Sequence, residues 1–402
     1  MRVLYFNKIA AAVQGERNQY VLDVTSRLRE FGVEIALVHG RKPASQYRGI
    51  GYVYDYLEYG AKFSEQEMDG LEAIVEDFLP DVIQLHGTEN FRLQEWLCER
   101  FPTVRFIHNH QFYCSGGDMT RSYPRKICHR VHGKGCLLRH GVNHCGSYNP
   151  IKNLQSYQRV NERLAALRGL HGIQVASPVL RENLIHNGVS GDKIEYFPLY
   201  APAPVVKKRN YRMARRIILH PGGLVKNKGV WLMLKAMPHL PEDVNLVFAG
   251  GGDQQERLLQ QIKAKNLQNR VQILGEVENE ALSELYHQAE FVVFPSRWNE
   301  PVGLSGIQAM AHGKAVVAFD SEGVRGWLKP GVTGELVKFN DERGFIQVVG
   351  KLLTDPRRLL TMGRAAKEHW EAEFQPKRHI AHLVEYYQRI HQQWKSQIGG
   401  KG

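Results

Sequence analysis

The stretch from Phe294 to Asp320 reads FPSRWNEPVGLSGIQAMAHGKAVVAFD and carries the residue types and spacings best suited to chemistry. An apolar strand ends at Pro295-Ser296, a polar loop carries Asn299, Glu300 and Pro301, and a helix starts near Gly303. The first N–H groups of a helix lack intrahelical partners and sit at the positive end of its dipole, so they favour an anion. Val302 and Gly303 let a ligand approach the backbone, and Leu304 and Ser305 open the helix, Ser305 adding a hydroxyl donor. Eight residues separate Glu300 from Gln308, roughly 12 Å along a helix. One polar group therefore stands at the loop mouth and another about two turns inward, with the anion site between them. A sugar, a diphosphate and a ribose in that order would fit, although spacing alone reads equally well as a plain strand, loop and helix.

Other segments offer related chemistry. His220 to Gly229 reads HPGGLVKNKG, with Gly223 at a turn and Lys226 and Lys228 as cations close behind. Gly250-Gly251-Gly252 follows a strand, and Val277 lies just beyond the next one. In the first half, Gly15 sits in the loop after the first strand, and His108 closes a strand ahead of His110. Between His108 and Cys145 the chain holds Cys114, Cys128, Cys136 and Cys145, four of its five cysteines, among histidines and basic residues. These spacings leave a structural zinc site and free thiols both open, and free thiols are the expectation because no C-x-x-C pair is present. No D-x-D motif stands at a strand end, so neither a metal on a diphosphate nor a cofactor is expected.

The elements that position these residues follow from periodicity. Short apolar strands at Arg2–Asn7, 33–39, 81–86, 104–108, 173–177 and 194–197 alternate with helical patterns. Leu199 to Pro204 and the basic stretch after it read as a linker, and a second alternation begins at Arg216. Its strands are expected at 216–220, 244–249, 271–274, 291–294 and 315–319. The fold class is α/β, with two parallel-sheet domains, residues 1–200 and 201–375, facing a cleft at the carboxyl ends of their strands. A basic amphipathic helix over about 376–398 is expected to pack back on the first domain. The length of 402 residues suits two domains. A net charge of +12 suits an anionic partner, but no aromatic-interleaved basic patch marks a nucleic-acid binder. MRVLYFN opens as a strand, not a leader, so a cytoplasmic protein is expected, with room for contact at an anionic membrane.

Taken in order, these motifs resemble family 4 retaining glycosyltransferases, in particular bacterial polysaccharide-biosynthesis members. Glu300-Pro301-Val302-Gly303, Gln308-Ala309 and Gly313-Lys314-Ala315-Val316-Val317 follow the family's E-P-x-G-x-x-x-x-E-A and G-x-x-V-V pattern. His220 to Gly229 is similar to its phosphate loop, Gly250 to Asp253 to its G-x-G turn, and Leu274 to Val277 to the segment beside the base. The resemblance implies a GT-B architecture with two Rossmann-like domains, the nucleotide sugar bound by the second and the acceptor by the first. It gives Glu300 the donor sugar's hydroxyls, Gln308 the ribose, and Lys228 with Lys226 the diphosphate. It also implies that Val277 and Asn299 help choose the donor, that Gly15 approaches it, and that His108 lies beneath its sugar. Gln308 stands where the family has a carboxylate, and Gly223 where it has an arginine. The implied partners are a nucleotide sugar, UDP-linked by expectation, and a saccharide or lipid-linked saccharide acceptor. The alternatives are a nucleotide-sugar-binding protein that no longer transfers, and an epimerase or hydrolase of the same architecture.

Overall fold

The computed structural model describes residues 1–7, 16–39, 52–55, 65–87, 89–204 and 216–399. In chain order its strands are β1 (Arg2–Asn7), β2 (Glu34–His39), β3 (Tyr52–Asp55), β4 (Val82–His86), β5 (Thr103–Ile107), β6 (Thr120–Ser122), β7 (Arg125–Ile127), β8 (Gly172–Val175) and β9 (Ile194–Tyr196). They continue with β10 (Arg216–Pro221), β11 (Val244–Ala249), β12 (Val271–Ile273), β13 (Phe291–Phe294), β14 (Val316–Phe319) and β15 (Gly334–Val337). One parallel sheet runs β3-β2-β1-β4-β5-β8-β9, and a second runs β12-β11-β10-β13-β14-β15. Each starts in the middle and winds outward both ways, so the direction switches between β1 and β4 and between β10 and β13. Loops leaving the carboxyl ends at such a switch part from each other and open a crevice, which is where open sheets bind ligands. Glu300 follows β13 and Lys228 follows β10, the two strands flanking the second switch.

Both faces of the second sheet are buried, as a parallel sheet requires. Ile217 and Leu219 of β10 point into one apolar cluster and Ile218 into another. β13 divides the same way, with Val292 and Phe294 on one side and Phe291 and Val293 on the other. The first cluster continues from this face of the second sheet through Trp327 and Phe374 to the core of the first sheet.

The final helix, Pro376–Gly399, lies against the first sheet. Tyr387 is fully buried, and its hydroxyl donates to Gln84 Oε1 at 2.8 Å and pairs with the Tyr5 hydroxyl at 2.7 Å. About two turns earlier, His379 meets the Tyr20 hydroxyl at 2.7 Å and donates from Nδ1 to the Pro198 carbonyl at 2.8 Å. A chain that has already passed through the second domain is thus hydrogen-bonded into the first. Several elements lie beyond what periodicity indicated: β3, β15, the β6–β7 hairpin, and the helices Gly135–Asn143, Pro150–Leu167, Glu342–Leu353 and Pro356–Glu373. Gly15 and the basic end of the expected linker fall outside the described residues, as does the side chain of Arg17. Among the described residues no helix is long and apolar enough to cross a membrane.

Removing the Tyr387 hydroxyl leaves Gln84 and Tyr5 buried without that partner, at a cost of about 1–3 kcal/mol. Tyr387→Phe is expected to lower the denaturation midpoint with the denaturant slope unchanged, measured by urea titration followed by circular dichroism.

Candidate active site

Two loops at the carboxyl ends of β10 and β13 build the centre of the site. A tight crossing holds them together: a Cβ on Gly229 would lie 2.0 Å from the Pro295 carbonyl oxygen, and the Arg297 N–H donates to the Asn227 carbonyl at 2.6 Å. Gly229 has φ +72°, a conformation open to glycine at little cost. This contact sets Lys228 against Glu300. The ammonium reaches Glu300 Oε1 at 2.7 Å, and the Ser296 hydroxyl donates to the same oxygen. Glu300 is 3% exposed and Lys228 21%, so the pair lies at the inner wall of the crevice. The aromatic faces of Phe294 and Trp298 stand 5.4 and 5.7 Å from the same ammonium. The backbone of Lys228 is fixed as well, because His220 Nε2 donates to its carbonyl at 2.9 Å.

The glycine loops behind this pair are packed backbone to backbone. A Cβ on Gly250 would lie 2.1 Å from the Gly222 oxygen, and one on Gly252 would lie 2.4 Å from the Leu224 oxygen. The Leu224 N–H donates to the Gly251 carbonyl at 2.8 Å, which locks the turn after β10 to the turn after β11. Gly223 differs, since a Cβ there would meet only the Gly251 oxygen at 3.7 Å, an ordinary contact. Side-chain space exists where the family carries arginine. Lys226 is exposed, and Val277 packs at the edge of the core beyond β12.

The helix Leu304–Ala311 begins behind Gly303, whose φ is +97°. Val302 is buried, and its carbonyl accepts from Trp327 Nε1 at 2.6 Å. Leu304 and Ser305 form the half-buried first turn. The Tyr286 hydroxyl lies 2.9 Å from the Ser305 carbonyl and 3.2 Å from Gln308 Oε1, so it orients the amide one face along the helix.

The first domain reaches this loop through His110, which the sequence reading named after His108, and through Thr120, which it did not name. His110, fully buried, donates from Nε2 to the Asn299 carbonyl at 2.9 Å and accepts the Tyr113 hydroxyl at Nδ1 at 2.5 Å. Thr120 Oγ1 accepts the Asn299 N–H at 2.9 Å. The Asn299 side chain donates to Glu322 at 2.6 Å and accepts the Glu322 N–H at 3.1 Å. Asn299 is therefore spoken for on every polar group and faces the seam between the domains. Two more contacts cross nearby, Arg125 to the Arg297 carbonyl at 3.0 Å and His129 Nδ1 to Glu322 Oε1 at 2.8 Å. His108, two residues before the clasp, is half-buried, stacks on Phe106 and meets His86 Nδ1 at 3.1 Å. The sequence signal for Ser296 was present inside the motif segment. Thr120, Arg125 and His129 carried none, because only the folded hairpin brings them there.

A hollow of about 1190 Å³ lies elsewhere, between helices Phe91–Arg100 and Pro150–Leu167. It is an open groove and holds none of the residues discussed above. Among the described residues no three His, Cys, Asp or Glu side chains stand at ion-holding distances.

Comparison with known proteins accords with this geometry. The family described as Glycosyl transferases group 1 matches residues 205–369, the segment that carries both loops. An uncharacterized glycosyltransferase of Methanocaldococcus jannaschii is 33% identical over 306 residues, covering 73% of this chain and 72% of that one. The chain belongs to the group 1 glycosyl transferases. The alpha-D-kanosaminyltransferase of Streptomyces kanamyceticus is 32% identical over 271 residues, 62% of this chain and 68% of the relative. The D-inositol 3-phosphate glycosyltransferase of Xylanimonas cellulosilytica is 32% identical over 155 residues, and the match spans 37% of its length. Among solved structures, sucrose-phosphate synthase from Thermosynechococcus elongatus superimposes with a TM-score of 0.72 at 19% identity, over 97% of this chain and 98% of that one. Anabaena HepE, solved in complex with UDP-glucose, gives 0.71 at 17% identity, over 98% and 100%. The architecture is the two-domain GT-B fold.

Burial pushes His110, His220 and His379 each down to about 4. An unfolded imidazole titrates near 6.5, so between these values the unfolded chain binds protons that the folded one refuses. Stability is full above about pH 6.5 and falls as pH drops toward 4, by up to about 3 kcal/mol for each histidine. The thermal midpoint is expected to fall across this window, with a shallower slope in His110→Gln, as calorimetry against pH will register.

Proposed function

We propose that this group 1 glycosyl transferase is a retaining hexosyltransferase that moves a sugar from a UDP-linked donor to a saccharide or lipid-linked saccharide acceptor in polysaccharide biosynthesis. The observation that carries the reading is the Lys228–Glu300 pair at 2.7 Å, held by two loops at the switch point of the second sheet. A cation and a carboxylate side by side, with a helix start next to them, match a diphosphate joined to a polyhydroxyl ring. In this reading Lys228 meets the diphosphate as charge builds on the leaving group, with Lys226 adding a second cation at the rim. Glu300 accepts hydrogen bonds from sugar hydroxyls, and Gln308 offers its amide to the ribose. The first turn after Gly303, through Leu304 and Ser305, supplies backbone N–H groups to the phosphates. Gly223 leaves room for the nucleotide, Gly250 and Gly252 hold the turn behind it closed against the loop after β10, and Val277 borders the base. His108 faces the same crevice from the first domain, near the reacting carbon, and the resemblance gives Gly15 its approach to the donor.

Retention without a protein nucleophile follows if the acceptor hydroxyl attacks the face from which the phosphate departs and that phosphate takes its proton. The division proposed is residues 1–200 with the last helix on the acceptor side and 201–375 on the donor side. That Anabaena HepE was solved with UDP-glucose supports a uridine donor. Exposed Leu138, Val142, Tyr148 and Ile151 beside Lys134, Arg139 and Lys152 support peripheral contact of the acceptor side with an anionic membrane.

A thermal-shift panel of UDP-, GDP- and ADP-sugars followed by turnover of each hit tests the activity. UDP-sugars are expected to stabilise the protein, and a protein that binds them yet never turns over would be a binding module. Glu300→Gln keeps the side chain's shape and is expected to lower kcat about 100-fold or more, the scale of losing one electrostatic stabiliser. An unchanged rate would remove Glu300 from the site. Gly223→Arg is expected to lower the donor KM several-fold with the fold intact, because the position has room and gains a bidentate phosphate ligand. A raised KM would argue against a diphosphate at this loop.

A further inference from the structure

Four cysteines that are scattered in sequence converge in space. Cys114 follows the turn after His110, Cys128 follows β7, Cys136 lies in the first turn of helix Gly135–Asn143, and Cys145 stands just beyond its end. All four line one cavity of about 40 Å³. Each is a free thiol, and the fifth cysteine, Cys98, is buried on another helix facing the first sheet's core. Cys145 interacts electrostatically with each of the other three.

Three further observations point to a ligand. The backbone N–H groups of Gly116, Gly117 and Met119 lie at hydrogen-bonding distance from the Cys114 sulfur. The turn that arranges them is tight, with Gly117 at φ +89° and a Cβ on Gly116 only 2.1 Å from the Cys145 carbonyl oxygen. His140, 2% exposed, lines the same cavity and has a buried Nδ1 without a partner among the described residues. Arg121, Arg130 and Arg139 also line it, three cations around four thiols.

The segment needs such a centre. From Tyr113 to Asn149 regular structure amounts to two three-residue strands and one nine-residue helix. Leu138, Val142 and Tyr148 are largely exposed, so beyond Tyr113 and Met119 its apolar residues do little to hold it together. Loop-rich pieces with so small a core are held by cross-links or metals. We propose that Cys114, Cys128, Cys136 and Cys145 bind a single zinc-type divalent ion in a tetrahedral thiolate site that pins this segment. Because no three donors already stand at ion-holding distances, the side chains must turn inward as the ion enters. Four S–H bonds break and four sulfur–metal bonds form, with the protons passing to water and no electron transferred. The resulting centre carries two negative charges, which the three arginines around the cavity offset. The site is remote from the donor diphosphate in role, but the hairpin it pins carries Thr120 and Arg125, which hold the loop before Glu300.

The test uses the whole chain, expressed and purified without chelator. Elemental analysis is expected to find one zinc per chain, and mercurial titration of the thiols should release it to a chromogenic chelator. Cobalt substitution should give the near-ultraviolet thiolate-to-cobalt charge transfer and the visible bands of a tetrahedral ion. Cys136→Ser should lose the metal, and Cys98→Ser should keep it in full. Metal-free protein with four reactive thiols, or intact mass showing two disulfides among these positions, would overturn the proposal. Both measurements read the unmutated protein, so they decide the matter even if Cys136→Ser does not fold.

Discussion

Asn299 is the residue on which the arrangement of the site depends. It is fully buried between the domains, and its backbone and side chain bind three separate pieces of chain: His110, Thr120 and Glu322. A buried polar group without partners is costly, whereas one fully satisfied fixes geometry sharply. Each polar atom of Asn299 has a partner, so the loop ahead of Glu300 is held in one position. His110 can serve as donor to its carbonyl and acceptor from Tyr113 only as the neutral imidazole with hydrogen on Nε2, and burial keeps it neutral.

The Lys228–Glu300 pair inherits that rigidity from one side and gains it from the other. Glu300 follows the clasp directly, and Lys228 sits on a loop pinned by His220, by Asn227 to Arg297, and by the near-contact of Gly229 with Pro295. Exposed ion pairs contribute little, but this carboxylate is withdrawn from water and holds a second hydrogen bond from Ser296. The glycines at 250 and 252 are required by backbone contacts with 222 and 224, while Gly223 is under no such constraint. Glycines in two facing turns therefore have different physical reasons. The β6–β7 hairpin joins the domains at the same place, which makes the first domain part of the donor loop's support and not only a wall opposite it.

Much of this was legible in the residues themselves. Strands with both faces buried write continuous apolar runs, so β1, β4, β5, β10, β11, β13 and β14 stood out, as did the helices between them. The glycine turns and Glu300 follow from backbone rules and motif order. Elements were missed where the signal is weak: β3 and β15 are short edge strands, and the hairpin spends its few residues on contacts across the domain boundary. Helices Glu342–Leu353 and Pro356–Glu373 follow the last strand of the second sheet, so no alternation of strand and helix frames them. In the site, Asn299 looked like a donor residue because it neighbours Glu300, yet its polar groups are taken up in the seam.

By itself the sequence determined the fold class, the two sheets, the family and the pair of loops to which the proposed chemistry is assigned. All of these depend on local periodicity and on short motifs whose partners lie within one strand, loop and helix. Tertiary structure decided that Lys228 pairs with Glu300 and that His110 and Thr120 hold Asn299. It also decided that four distant thiols share one cavity and that the last helix ends its path against Tyr5 and Gln84. Each of these joins residues tens to hundreds of positions apart through a hydrogen bond or a packed surface. Such contacts leave no period and no spacing in the chain, because their geometry exists only once the elements that carry them are folded against each other.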